Sequence, residues 1–276
     1  MFHSRTRILR GRQHRGLTSM IGEMHRKALA LGFAAAFGFA VEPSVADEAT
    51  GGSSWRFTAS PYFWAAGISG RSGTLPPLPP AEVDLTFSDI LEDLRFGGML
   101  AGTATKGRFG ISADIQYVET EAGGDLQPFF ANARLDSKTV MATLSGEYAV
   151  LDRPGASLRL GAGVRLWSVD TELKLSGGPA PDRRIDGDDT WIDPILTARG
   201  EADLSERWYV AGWAAVGGFG VGSETMADVF GGVGYRITET TSISAGYRWM
   251  KVDREDGDFL YDIEQQGPLV GMTFRF

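Results

Sequence analysis

Carboxylates and guanidinium groups make up almost the whole chemical repertoire of this 276-residue chain. It has no cysteine, and its three histidines, His3, His14 and His25, all precede residue 47. Beyond that point a Ser-His-Asp or Cys-His mechanism, a thiol redox centre, and zinc held by imidazole or thiolate all lack their side chains. What remains are carboxylate pairs, which can act as general acid and base, and Arg-carboxylate pairs, which brace a polar interior. The Asp-rich stretch from Pro181 to Asp189 lacks the alternating ligand spacing of a calcium hand and reads as a solvated loop. No metal site and no cofactor site is expected. Residues 47–276 carry 20 basic and 33 acidic groups, a net charge of −13. Acidity on that scale argues against a nucleic-acid partner, which needs arrays of Lys and Arg facing phosphates.

The elements that must position these groups alternate with a period of two from Trp55 onward. Phe109, Ile111, Ala113, Ile115 and Tyr117 fall on one face of an extended segment, and Gly110, Ser112, Asp114 and Gln116 on the other. Ten such segments are marked, at 55–68, 93–105, 108–121, 134–150, 156–174, 191–203, 207–219, 225–237, 241–253 and 259–276. Each matches or exceeds the ~9–11 residues a tilted strand needs to cross a bilayer. Connections after the even-numbered segments are tight, as at Lys106-Gly107 and Thr238-Glu239-Thr240, whereas those after the first, third and fifth are long and polar. Later ones on that side are shorter and acidic. Short turns at one end and longer loops at the other is the pattern of an all-β, closed antiparallel transmembrane barrel, here of about ten strands, with eight to twelve allowed. A soluble sandwich or lipocalin-like barrel is the structural rival. The 37 glycines, many inside strands, favour the small closed barrel.

With the aliphatic faces toward lipid, parity puts Arg56, Asp114, Gln116, Glu147, Arg159, Arg165, Asp193, Arg199, Glu201, Asp228, Arg236, Arg248 and Arg275 in the lumen. Charges there must pair, because an isolated ion away from water costs several kcal/mol. They read as a structural network filling the barrel, or else as the lining of a small polar pore. Aromatics near strand ends, among them Trp55, Phe57, Phe63, Tyr117, Tyr148, Tyr235, Tyr247 and Trp249, read as headgroup-level girdles. In the first long loop, Ser88 or Asp89 caps one expected helical turn.

Residues 1–46 are basic and then apolar, with Ser44-Val45-Ala46 supplying small residues before Asp47. The apolar run is fourteen residues, too short for a spanning helix, so the segment reads as a secretory signal peptide, with Met20 or Met24 as alternative starts. Residues 47–54 form a short tail and 55–276 a single barrel domain.

At the C-terminus Pro268, Val270, Met272, Phe274 and Phe276 share one face and the chain ends on the aromatic. Gly271, Phe274 and Phe276 resemble the terminal signal by which Gram-negative outer-membrane proteins are recognised; Leu269, where a polar residue is usual, departs from it. With the leader and the strand pattern, the chain resembles the small outer-membrane β-barrel proteins of proteobacteria, the porin-family and OmpA-like barrels, within a largely uncharacterised subgroup. The resemblance implies outer-membrane location, membrane lipid and the barrel assembly machinery as partners, and a structural or small-solute permeation role. Surface binding or adhesion through the outer loops is the alternative. The enzymes of this fold look histidine-dependent, so the resemblance implies no enzyme, with a carboxylate-dependent hydrolase as the remote alternative.

Overall fold

A computed structural model describes residues 54–126 and 130–276. The leader and most of the short tail lie outside the described residues. In chain order the elements are β1 (Arg56–Trp64), β2 (Gly67–Gly73), β3 (Ala81–Leu85), the helix α1 (Phe87–Asp93), β4 (Leu94–Lys106), β5 (Phe109–Leu126), β6 (Phe130–Arg153), β7 (Ala156–Ser176), β8 (Arg183–Asp203), β9 (Trp208–Gly218), β10 (Thr225–Arg236), β11 (Thr241–Asp256) and β12 (Phe259–Arg275). Every pairing is antiparallel, and β1 pairs with both β4 and β12, which closes a ring of β1 and β4–β12. This is the expected closed antiparallel barrel of ten strands, with β2 and β3 in addition. The turn end carries both described termini and the four tight connections; the loop end carries everything else.

The wall follows from strand parity. Phe109 is 70% exposed, Leu196 56% and Leu144 54%, whereas the inward Asp193 and Asp228 are fully buried. A contiguous apolar exterior on this scale belongs in lipid.

Further along, the same strands reverse the pattern. In β7, Leu158, Leu160, Val164 and Leu166 point outward against inward Arg159 and Arg165, but beyond them Ser168, Asp170, Glu172 and Lys174 point outward against inward Trp167, Val169, Leu173 and Leu175. Both β6 and β12 reverse in the same way, with Leu135 inward beside outward Asp136, and Tyr261 and Ile263 inward beside outward Asp262 and Glu264. Along β7 and β12 the register runs without a bulge, so parity holds while the surroundings change. Near the turn end the outside is apolar and the inside polar, and at the loop end the outside is polar and the inside an apolar core.

This corrects two sequence expectations. The connections after the third and fifth segments are mostly strand, since β5 and β6 run on to Leu126 and Phe130 and β8 begins at Arg183, inside the supposed Asp-rich loop. The first long loop is also built. Past Ala65 the chain keeps following β12 as β2, pairing Gly67–Gly73 with Leu260–Gln266, and then turns back as β3. Ala65 donates its N–H to the Pro268 carbonyl at 2.9 Å, and a side chain at Gly267 would strike the Ala65 carbonyl. The hairpin tip crosses the mouth. Leu75, 1% exposed, packs with Leu135 and Leu173, and the Thr74 carbonyl rests against Gly187 of β8, half-way round the ring from β1. Only glycine leaves room there. The expected helical turn exists, but Thr86 caps it: its hydroxyl accepts from the Asp89 N–H while Asp89 accepts from the Thr86 N–H. Ser88 and Asp89 lie inside the helix, and this reciprocal box satisfies two end donors at once.

Spin labels scanned along β7 test this reversal. Even-numbered sites from 160 to 166 should contact lipid-soluble oxygen and those from 170 to 174 a polar quencher, and Leu160→Arg should cost ~2–4 kcal/mol in vesicle unfolding. An unchanging phase along the strand would refute the reversal.

Candidate functional site

The polar groups of the lumen gather into one connected brace. Asp228 on β10 accepts from Arg248 of β11 at 2.9 and 2.7 Å, a two-point pairing, and from Arg165 of β7 at 2.8 Å. Arg248 also donates to the Tyr62 hydroxyl at 3.2 Å, and Tyr62 donates to Asp114 of β5 at 2.9 Å. Arg165 donates through Nε to Thr143 of β6 at 2.9 Å. From Asp114 through Tyr62, Arg248, Asp228 and Arg165 to Thr143, the brace joins six strands across the barrel. Four of its six members are buried: Asp228 is 0%, Arg248 1%, Arg165 3% and Tyr62 5% exposed. Aromatic faces shield the cations, with the Arg248 guanidinium 4.5 Å from the Trp64 ring centre and 5.6 Å from that of Trp213.

Asp193 makes a second node. It accepts from Trp167 Nε1 at 2.9 Å and from the Ser223 hydroxyl and backbone N–H at 2.9 and 2.6 Å, while Trp191 Nε1 donates to the same hydroxyl at 2.8 Å. These bonds hold the β9–β10 turn, where Gly218, Phe219 and Gly220 all have positive φ, 85°, 52° and 71°. Phe219 is the only described non-glycine residue in that region, a conformation that needs holding in place.

Toward the turn end the pairs are more exposed. Arg199 pairs with Glu147, and Arg236 with Glu201 and Asp203 at 2.5 and 2.6 Å. Gln116 donates to Asp114 at 3.2 Å. Arg159 donates to the Arg108 carbonyl at 3.4 Å, Arg56 sits exposed at the rim, and Arg275 buries one guanidinium nitrogen without a partner. Gly271 lies against Tyr62, whose Cβ would be 3.2 Å from an added methyl, while Leu269, 3% exposed, pairs with Trp64. Phe274 and Phe276 end the β12 wall, and Phe276 and Phe57 exchange backbone hydrogen bonds. Of the Asp-rich stretch, Asp186 pairs with Arg184, and Asp189 with Arg254 at 3.0 Å. Among the described residues no cluster of three or more metal-ligating side chains forms.

Sequence reasoning missed the aromatic half of the lumen. Trp167 and Trp191 stack with centroids 5.7 Å apart, and Phe259 and Tyr261 from the far wall meet the Trp191 ring edge-on at 6.0 and 5.9 Å. Met141, Met226 and Met250 fill between them. Between the brace and this layer lies a cavity of about 10 Å³, lined by Gln116, Met141, Trp167, Gln265 and three others, room for about one water molecule.

No family model and no curated protein sequence matches the chain. Solved structures similar to it are the translocator domain of the autotransporter NalP from Neisseria meningitidis (11% identity, 83% of this chain and 90% of that one, TM-score 0.48) and the outer-membrane protease OmpT from Escherichia coli (10%, 83% and 99%, 0.48). The Neisserial surface protein A (NspA) aligns at 13% identity over 82% and 100%, with TM-score 0.36. Likeness at this level speaks to neither activity nor family, and the functional reading rests on the chain's own wall and lumen.

Removing Asp228 strands two buried guanidinium groups. Asp228→Ala should destabilise the barrel by ~3–5 kcal/mol, and Arg236→Gln, at a part-exposed pair, by about 1 kcal/mol or less. Urea unfolding in lipid vesicles measures both; equal effects would contradict the brace.

Proposed function

We propose that this chain is an integral barrel of a Gram-negative outer membrane whose lumen is sealed, acting as a structural and surface-presenting element and not as an open solute channel. The observation that carries this reading is the burial of the lumen's own lining. Residues facing a water-filled channel are wet, whereas Trp64, Asp193 and Asp228 are 0% exposed. The brace closes the barrel at mid-height, the stacked tryptophans close it above, and the β2–β3 hairpin covers the mouth. The export leader, the terminal aromatic and the apolar wall support an outer-membrane location with membrane lipid and the assembly machinery as partners. In that orientation the turn end faces the periplasm.

A surface-binding role draws support from the loop end, where β5–β8 rise beyond the apolar band as a paired sheet rather than as mobile loops. Its outward face is ruled in rows, with Arg134, Lys174 and Arg184 side by side and Asp136, Glu172 and Asp186 in the next row. A hydrolase has the least support. Asp114, Asp193 and Asp228, the best-placed carboxylates, are each engaged by donors in the interior, away from any approaching substrate.

Planar-bilayer recordings test the seal. The purified barrel should give no sustained ohmic current, and stable open steps from it would overturn the sealed reading.

A further inference from the structure

Three basic residues at the turn end share one construction. The Lys106 ammonium lies 5.9 Å from the centre of the Trp55 ring, which stacks on Phe57 at 6.1 Å. Arg108 lies 5.9 Å from the Tyr148 ring and donates to its hydroxyl at 3.5 Å, and Tyr148 packs edge-on against Phe109 at 5.3 Å. Arg207 donates to the Tyr235 hydroxyl at 3.0 Å, and Tyr235 packs against Trp208 at 5.0 Å. Each is an exposed cation set against a pair of aromatic rings on the lipid side of the wall, at the edge of the apolar band.

Among the described residues no carboxylate lies within ion-pair distance of Lys106, Arg108 or Arg207. At the loop end Arg95, Arg134, Lys174 and Arg184 are all held by Glu or Asp. The outer aromatics differ in the same sense: Tyr117 donates to Glu119 and Tyr247 to Gln266, both at 3.2 Å. Four loop-end cations are thus neutralised within the protein, whereas these three at the turn end keep free N–H groups at headgroup depth. An aromatic pair fixes the depth of such a site, and a guanidinium or ammonium supplies donors matched to phosphate oxygens. Arg108 feels Asp152 at longer range, but no carboxylate bonds any of the three, so a headgroup of net negative charge complements them better than a zwitterionic one, whose phosphate already has its own ammonium.

We propose that Lys106, Arg108 and Arg207, each with its aromatic pair, form headgroup sites that select anionic phospholipids in the periplasmic leaflet. This rests on the membrane-spanning reading above. Near a charged bilayer surface one basic residue is worth about a fivefold preference, so the effect averaged over the whole lipid shell is about twofold or more. The experiment is electron spin resonance of the folded protein in phosphatidylcholine vesicles with spin-labelled phosphatidylglycerol or spin-labelled phosphatidylcholine. In the wild type the motionally restricted fraction should favour phosphatidylglycerol by that ratio. The combined K106Q/R108Q/R207Q variant should bring the ratio close to one. R207K should keep its share, and R95Q/R134Q, at the loop end, should leave the ratio unchanged. Equal restriction of the two lipids by the wild type, or wild-type selectivity in the triple variant, would overturn the proposal. A restricted population of either lipid reports a wall in the bilayer whatever its selectivity; its complete absence would instead overturn the transmembrane reading.

Discussion

A β-strand cannot change which side its side chains face without a bulge or a slip, and the rest of this structure depends on that constraint. The long strands that cross from the apolar-clad zone into the polar-clad one hold one parity through the crossing, so each must exchange its apolar and polar faces on the way. β7 shows the exchange within 21 residues, from outward Leu160 and Leu166 to inward Trp167 and Leu173. Because the reversal recurs around the ring, the interior becomes two stacked zones. Ions and hydroxyls occupy the zone inside the membrane band, and tryptophan, methionine and leucine fill the zone above it.

Each zone solves a different problem. In the lower one, charges withdrawn from water must meet partners, and Asp228 meets two guanidinium groups from strands on either side of it, Arg165 and Arg248. A bond network reaching six strands ties the wall across its diameter, something neighbouring-strand hydrogen bonds cannot do. In the upper one the apolar interior needs a lid, since the strands alone would leave its top open to water. The β2–β3 hairpin provides it by staying paired to β12 while leaving β4 and laying Leu75 against Leu135 and Leu173. The aromatic layer and the brace meet at Trp64 and Trp167, whose indole N–H groups donate to Gly267 and Asp193.

Much of this was legible in the residues. The ten segments, their parity and the short turns follow from local alternation, and local alternation is what sets a strand's faces. Partner choice was not legible, because Asp228 and Arg165 stand on strands separated by two others in the ring. The reversal was written in the sequence, in the run from Trp167 to Leu175, but reading 156–174 with one label for each face hides it. The hairpin escaped notice because Pro76, Pro77, Pro79 and Pro80 mark a loop and say nothing of where its tip packs. Thr86 was overlooked as a cap because Ser88 and Asp89 are equally good capping residues two and three positions on.

The central claim is that the middle of the lumen is dry and closed from both sides. With no native cysteine in the chain, single cysteines at Thr103, Met141 and Ala215 can each be followed by the rate of reaction with a small water-soluble methanethiosulfonate in folded, vesicle-embedded protein. The account predicts rapid reaction at 103, near the turn end, and protection by orders of magnitude at the buried positions 141 and 215, whichever side the reagent is added. Fast reaction at all three positions would mean a continuous aqueous path and would contradict the sealed barrel.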